Sequence, residues 1–244
     1  MPSPPEAAGE TSRTIAIGTR CVTYALRRAK RRTIGLTIDQ RGLRVGAPPR
    51  ASLREVESLI LQHGDWVGRK LDEWARRPPP TVLQIVDGVQ LPLLGRPLTV
   101  RLATGPNRQR WQLQDEPATL TLCLRSPAAA ARVLETALRE KARRLFVERL
   151  AEQAPALGLA PPPLALSSAR TRWGSCSRRS GVRLNWRLIH FPLPLIDYVV
   201  VHELAHLHEM NHSPRFWAIV AQRCPDYQAA RDELKRRAAD CPHW

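Results

Sequence analysis

The sequence predicts an α+β protein, with a β-rich N-terminal half of antiparallel strands and one helix followed by a compact helical domain. Short β-prone runs succeed one another from Thr14 to Leu124, and the longest apolar-periodic segments lie beyond residue 127. Two triple-proline clusters, at 78–80 and 161–163, punctuate the chain between them.

Residues 1–12 are rich in Pro, Ala, Glu and Ser and read as a mobile tail. The β-rich domain spans 13–127. It opens with TIAIG, CVTYAL, TIGLTI and LRVGAP, an antiparallel meander with a turn at Gln40 to Gly42. Ser52 with Glu55 three residues on forms a capping box, and Val56, Leu59, Ile60, His63, Val67 and Leu71 repeat near 3.6, so one helix runs to about Trp74. VLQIV, PLTVRL, RWQLQ and TLTLCL supply further strands between turns at Asp87-Gly88, Gly105-Pro106 and Glu116-Pro117. Ser126-Pro127 opens a long helix over about 128–154, with Val133, Leu134, Leu138, Leu145, Phe146 and Leu150 on its apolar stripe. The boundary is placed near 127, so the second domain is 128–244. No internal repeat is apparent.

The chain carries 38 basic against 22 acidic residues, a formal charge of +16 that suits a polyanionic or anionic partner. All but four of the basic residues are arginine, and every third of the chain shares the surplus. With 22 prolines and abundant alanine this also follows from a GC-rich genome, so the charge is discounted as a specific nucleic-acid signal. The densest run, Arg27, Arg28, Lys30, Arg31 and Arg32, reads as a solvated hairpin tip, with an anion-binding patch as the sharper alternative. No stretch has the roughly 18 consecutive apolar residues of a membrane helix, and the first residues lack the basic and apolar regions of a secretory signal. The five cysteines are odd in number and lack any CxxC pair, against a disulfide framework or a cysteine-built zinc site. A reducing cytoplasm is the simplest compartment.

The chemistry is concentrated in IDYVVVHELAHLHEMNHSPRFW, residues 196–217. His202, Glu203 and His206 form H-E-x-x-H; on a helix the i, i+4 spacing puts both imidazoles on one face, where they can bind one tetrahedral metal. Glu203 then reaches a water at the ion rather than the ion, the arrangement that hydrolysis needs. The apolar run before it predicts a buried helix, with Asp197 favoured by the N-terminal dipole and Pro194 in the first turn. His212 would swing off the metal face on a continuous helix. A turn at Asn211, with Ser213 capping the next helix and Pro214 at its first position, would return it to the ion. His208 points about 200° away from His206, toward solvent or a supporting role. Cys176 reads as a small buried thiol.

TRWGSCS (171–177) together with LNWRLIHFPLPLIDYVVVHELAHLHEMNHSPRFW (184–217) resembles the YgjP-like metal-dependent hydrolases, relatives of the SprT and WLM zinc metallopeptidases. RRTIGLTID, WVGRKL and LLGRPLTV are similar to the family's N-terminal half. The resemblance implies one zinc ion on His202, His206 and His212, Glu203 as catalytic acid/base, and a minimal zincin-like domain with a strand beside the active-site helix. VRLNWRLIH (182–190) is the candidate for that strand, with an exposed edge able to pair with a peptide. Arg170, Arg172, Asn185 and Tyr198 are candidate substrate-binding residues, and Tyr198, His190 and Arg215 candidate electrophiles for the oxyanion.

The leading reading is a zinc metallopeptidase acting on a peptide or protein. The resemblance also admits a metal-dependent nucleoside triphosphate pyrophosphatase acting on UTP, for which Arg170, Arg172, Arg178, Arg179, Arg183 and Arg187 surround the motif in sequence. Three imidazoles favour zinc over the magnesium of a triphosphate site. A third reading is a DNA-associated protein-processing or binding module, using the basic surface.

Overall fold

The computed structural model describes residues 10–39, 41–76, 82–169 and 171–244, and the chain divides into two units, Met1–Pro80 and Thr81–Trp244. The first unit begins with β1 (Glu10–Ile17), β2 (Arg20–Arg28), β3 (Gly35–Asp39) and β4 (Gly42–Ala47). The sheet order is β1-β2-β4-β3. The outer pairs are antiparallel, but β2 and β4 run parallel, which corrects the expected meander. Alternation explains the choice. Val22, Tyr24 and Leu26 on β2 and Leu43, Val45 and Ala47 on β4 are all buried, and pairing these two strands centrally collects them over one core. Residues 1–9 of the expected tail lie outside the described residues, and Glu10 to Ser12 pair with Arg27 to Ala25.

The capping box is formed: the Ser52 amide donates to Glu55 Oε2 at 2.6 Å and the Glu55 amide to Ser52 Oγ at 3.2 Å. The expected single helix is two, α1 (Leu53–Gln62) and α2 (Gly64–Ala75), because His63 leaves the helical region at φ −103°, ψ 20°. Val56, Ile60 and Val67 still fall on the buried face.

In the second unit β5 (Gln90–Leu93), β6 (Arg96–Thr104), β7 (Arg108–Gln112) and β8 (Ala118–Leu124) form a sheet of order β5-β6-β8-β7, again with the two central strands parallel. The two sheets share one topology, and each is followed by helix. This repeat is invisible in the letters because a strand needs only apolar alternation, not particular residues. VLQIV is not a strand; Val82 makes an isolated bridge to His243 and the pairing starts at Gln90. There follow α3 (Ala130–Gln153), β9 (Leu164–Ser167), β10 (Gly174–Ser177), β11 (Gly181–Asn185), α4 (Leu193–His208), α5 (Pro214–Arg223) and α6 (Tyr227–Arg237). The three short strands are ordered β10-β11-β9.

The division falls at Pro80 rather than near 127. Leu98, Val100, Leu120 and Leu122 of the second sheet lie in one continuous core with Leu134 and Leu138 of α3 and with Val200 and Val201 of α4, so a cut at 127 would pass through that core. Helix α4 is tied to its neighbours by polar clamps. Arg149 of α3 grips Asp197 through two bonds of 2.6 and 2.8 Å, and His208 Nε2 donates to the Leu157 carbonyl at 2.9 Å. The five cysteines are free thiols, and among the described residues no helix is long and apolar enough to cross a membrane.

His190 is sealed between Trp186 and Trp244 at 2% exposure and donates Nδ1–H to the Pro92 carbonyl at 2.7 Å. Burial pushes its pKa down to about 4, so on acidification the unfolded chain takes up this proton first, near pH 6.5. Its stability contribution is complete above about pH 6.5 and falls away as the pH drops toward 4, by up to about 3 kcal/mol. In urea unfolding between about pH 7 and 4.5, His190→Gln should lose about 2 kcal/mol less than wild type. Equal losses would contradict this assignment.

Candidate metal centre

No residue of α4 from Leu195 to Leu207 is exposed, and its buried side chains point in every direction around the axis. Such a helix desolvates any polar group it carries. The i, i+4 spacing sets the His202 and His206 rings 5.0 Å apart, centroid to centroid. The chain then turns back. Helix α4 ends at His208, Glu209 is extended at φ −132°, Asn211 Oδ1 accepts from the Ser213 amide at 2.9 Å, and Ser213 Oγ accepts from the Phe216 amide with Pro214 in the first turn of α5. His212 arrives 5.0 Å from His202 and 4.8 Å from His206. The expected turn forms, but by a different device: Glu209 departs into extended backbone, and Asn211 acts through its side chain rather than through a left-handed conformation.

One nitrogen from each of the three histidines lies within 4.8 Å of the other two. His212 Nε2 and His202 Nε2 are 3.1 Å apart, close to the ~3.3 Å that two nitrogens span across a tetrahedral zinc. His206 Nδ1 donates to the Glu209 carbonyl at 3.1 Å, which fixes the proton there and leaves Nε2 with its lone pair for an ion. Burial, then the neighbouring imidazoles, push His202 down to about 3; burial likewise lowers His206. The donor set is convergent and all-imidazole, which suits zinc. Phe216, wholly buried, lies under the three rings at 4.5 to 4.9 Å.

Glu203 is 5% exposed, and its Oε2 accepts no hydrogen bond among the described residues. Burial pushes its carboxyl up to about 7 while Arg172 pulls the other way. Its room comes from β10. A Cβ on Gly174 would lie 2.6 Å from both Cγ and Cδ of Glu203, so only glycine lets the strand pass this close. Cys176, on the same strand, is pushed up to about 11 by burial and then by Glu203, and holds its thiol proton at neutral pH.

Several expectations need correction. VRLNWRLIH does not present a free edge: β11 ends at Asn185 and lies between β10 and β9, and Trp186 to His190 form a 3-10 turn. The free edge beside α4 belongs to β10, because the GSCS hairpin arm packs outside β11. Asn185 is 3% exposed and spent on structure, donating Nδ2–H to the Ala169 carbonyl at 2.7 Å and accepting from the Arg187 amide at 3.1 Å. His190 is sealed in the core, and Arg215 lines a separate cleft with Leu157, His208 and Glu209. Arg178 and Arg179 occupy the β10–β11 turn and Arg187 stacks on Trp186 at 4.5 Å, so the arginines clustered in sequence disperse. Arg170 lies outside the described residues. Tyr198 remains beside the metal-binding face, its ring 5.9 Å from His202.

Arg231 of α6 was not foreseen. Its guanidinium lies 5.7 Å from the Trp217 ring, in a stack running His212, Trp217, Tyr227, and its charge acts on both His202 and Tyr198. The only sequence signal is its place on a helix after the PRFW segment.

Among known families, the YgjP-like metallopeptidase domain matches residues 32–237. Among solved structures, the metallopeptidase zymogen of Pyrococcus abyssi abylysin is 24% identical with a TM-score of 0.35, covering 40% of this chain and 99% of that one. Comparison with curated proteins finds no match.

A methyl group at Gly174 falls on the side chain of Glu203. Gly174→Ala should therefore bind metal with wild-type stoichiometry and lose at least about 100-fold in hydrolytic rate. Full activity in that variant would contradict the close approach.

Proposed function

The chain belongs to the YgjP-like metallopeptidase family, and we propose that it is a zinc-dependent peptidase in which His202, His206 and His212 hold one ion and Glu203 is the general base. The observation that carries this reading is the convergence of three imidazole nitrogens beside a buried, unpartnered carboxylate oxygen. Zinc, when bound, makes a water acidic near neutral pH and polarises the carbonyl attacked.

Glu203 takes a proton from the attacking water and passes it to the leaving amine. Its burial keeps bulk water from competing for that proton. The Glu209 carbonyl holds His206 in one tautomer. Arg231 and Tyr198 stabilise the oxyanion, and Arg172 orients the substrate near Glu203. The peptide lies extended along the free edge of β10, bonding to the backbone from Gly174 to Ser177, and Glu203 fills the space that the absent side chain of Gly174 leaves.

The purified protein should hold about one zinc per chain, and His202→Ala should lose it. Glu203→Gln should keep the zinc and lose peptide hydrolysis by about 1,000-fold or more. Stoichiometric zinc in His202→Ala would refute the ligand set. Release of pyrophosphate from UTP that depends on Glu203, with no peptide cleaved, would replace the peptidase reading with the nucleotide one.

A separate test concerns the oxyanion. Arg231→Ala should lower kcat by about 100-fold with zinc content unchanged, and Arg231→Lys should recover part of the rate. An unchanged kcat would remove Arg231 from the chemistry.

A further inference from the structure

The outer face of the first sheet carries a feature that the metal centre does not use. Register sets Arg27, Gly46 and Gly35 side by side across β2, β4 and β3. All three share the face opposite the core packed by α1 and α2. Arg31, from the segment between β2 and β3, lays its guanidinium over the two glycines. A Cβ on Gly35 would come within 2.6 Å of Arg31 Nη2, and one on Gly46 within 3.1 Å of Arg31 Cζ. The glycine pair is a seat that any side chain would fill.

Lys30 and Arg32 are exposed in the same segment, and Arg28 fastens its base by donating to the carbonyls of Pro48, Pro49 and Ala51 at 3.2, 3.1 and 2.6 Å. Among the described residues no acidic side chain pairs with Arg27, Lys30, Arg31 or Arg32. Glu10, opposite Arg27 in register, is held by Arg44. An arginine already seated loses less freedom on binding, and its planar fork matches a phosphate.

We propose that this face binds the phosphodiester backbone of a nucleic acid without reading its bases. The cations are grouped and unpaired, and the formal charge of +16 adds long-range attraction. Beyond them Arg44, between Ala25 and Thr37 in register, is held by Glu10, Asp39 is held by Arg41, and Ser12, Thr14, Thr23 and Ala25 are small, so a strand can approach the Arg27–Arg31 end closely. It lacks the large apolar side chains that a membrane-surface site inserts among lipids.

The test is fluorescence anisotropy of the full chain with a labelled mixed-sequence DNA of about 20 nucleotides, single-stranded and duplex, between about 50 and 200 mM salt. Binding should weaken steeply with salt. Arg27→Ala/Arg31→Ala should weaken it at least about tenfold at low salt and lower the log–log slope by about two. Gly46→Ala keeps the charge and clashes only with the movable end of Arg31, so it should stay folded and bind severalfold more weakly. Arg132→Ala/Arg143→Ala, an equal loss of charge from exposed positions of α3, should change affinity less than about twofold. The proposal is overturned by no binding at low salt, by capture on phosphatidylserine vesicles alone, by equal loss in the α3 pair, or by wild-type affinity in Gly46→Ala.

Discussion

Helix α4 has no solvent side along the turns that carry its chemistry, and the rest of the second unit is arranged around that burial. An apolar jacket would ordinarily reject two imidazoles and a carboxylate, because each loses its hydration without compensation. Here the same jacket makes them useful. It holds the histidines neutral, raises the carboxyl of Glu203, and leaves nitrogen lone pairs facing one another at a distance that an ion can bridge. Each support then removes a degree of freedom: the Glu209 carbonyl fixes the His206 tautomer, Phe216 floors the three rings, and Arg149 grips Asp197 at the start of the helix.

The jacket also explains why the unit that carries the histidine cluster is larger than its motif. The second sheet and α3 supply much of the core against which α4 is pressed, and the turn between β5 and β6 reaches the segment just before α4 through backbone bonds from Leu94 to Ile189 and from Gly95 to His190. His190 completes that junction with the Pro92 carbonyl. It is a structural histidine, and what separates it from His202, His206 and His212 is the company each keeps: tryptophan and a single carbonyl, against two more imidazoles.

Much of this was legible in the letters. The capping box at Ser52, the H-E-x-x-H spacing and the Ser213-Pro214 helix start are local signals whose physics is complete within a few residues, and each forms as read. What was not legible depends on partners distant in sequence. Alternation marks β2 and β4 as half-buried but cannot say that they pair with each other in parallel. Periodicity across His63 looked continuous although the backbone breaks there. Asn185, read as substrate-binding, is spent on the Ala169 carbonyl and the Arg187 amide, and Arg231, which carries no motif, is brought to Trp217 beside the histidines, for the same reason.

The proposed ion rests on three histidines and no cysteine. X-ray absorption at the zinc edge of the metal-loaded protein tests it most directly. Three imidazoles and a water give nearest neighbours of nitrogen and oxygen at about 2.0–2.1 Å with the outer-ring scattering of three imidazoles. A sulfur shell at about 2.3 Å, or fewer than three imidazoles at full occupancy, would contradict it.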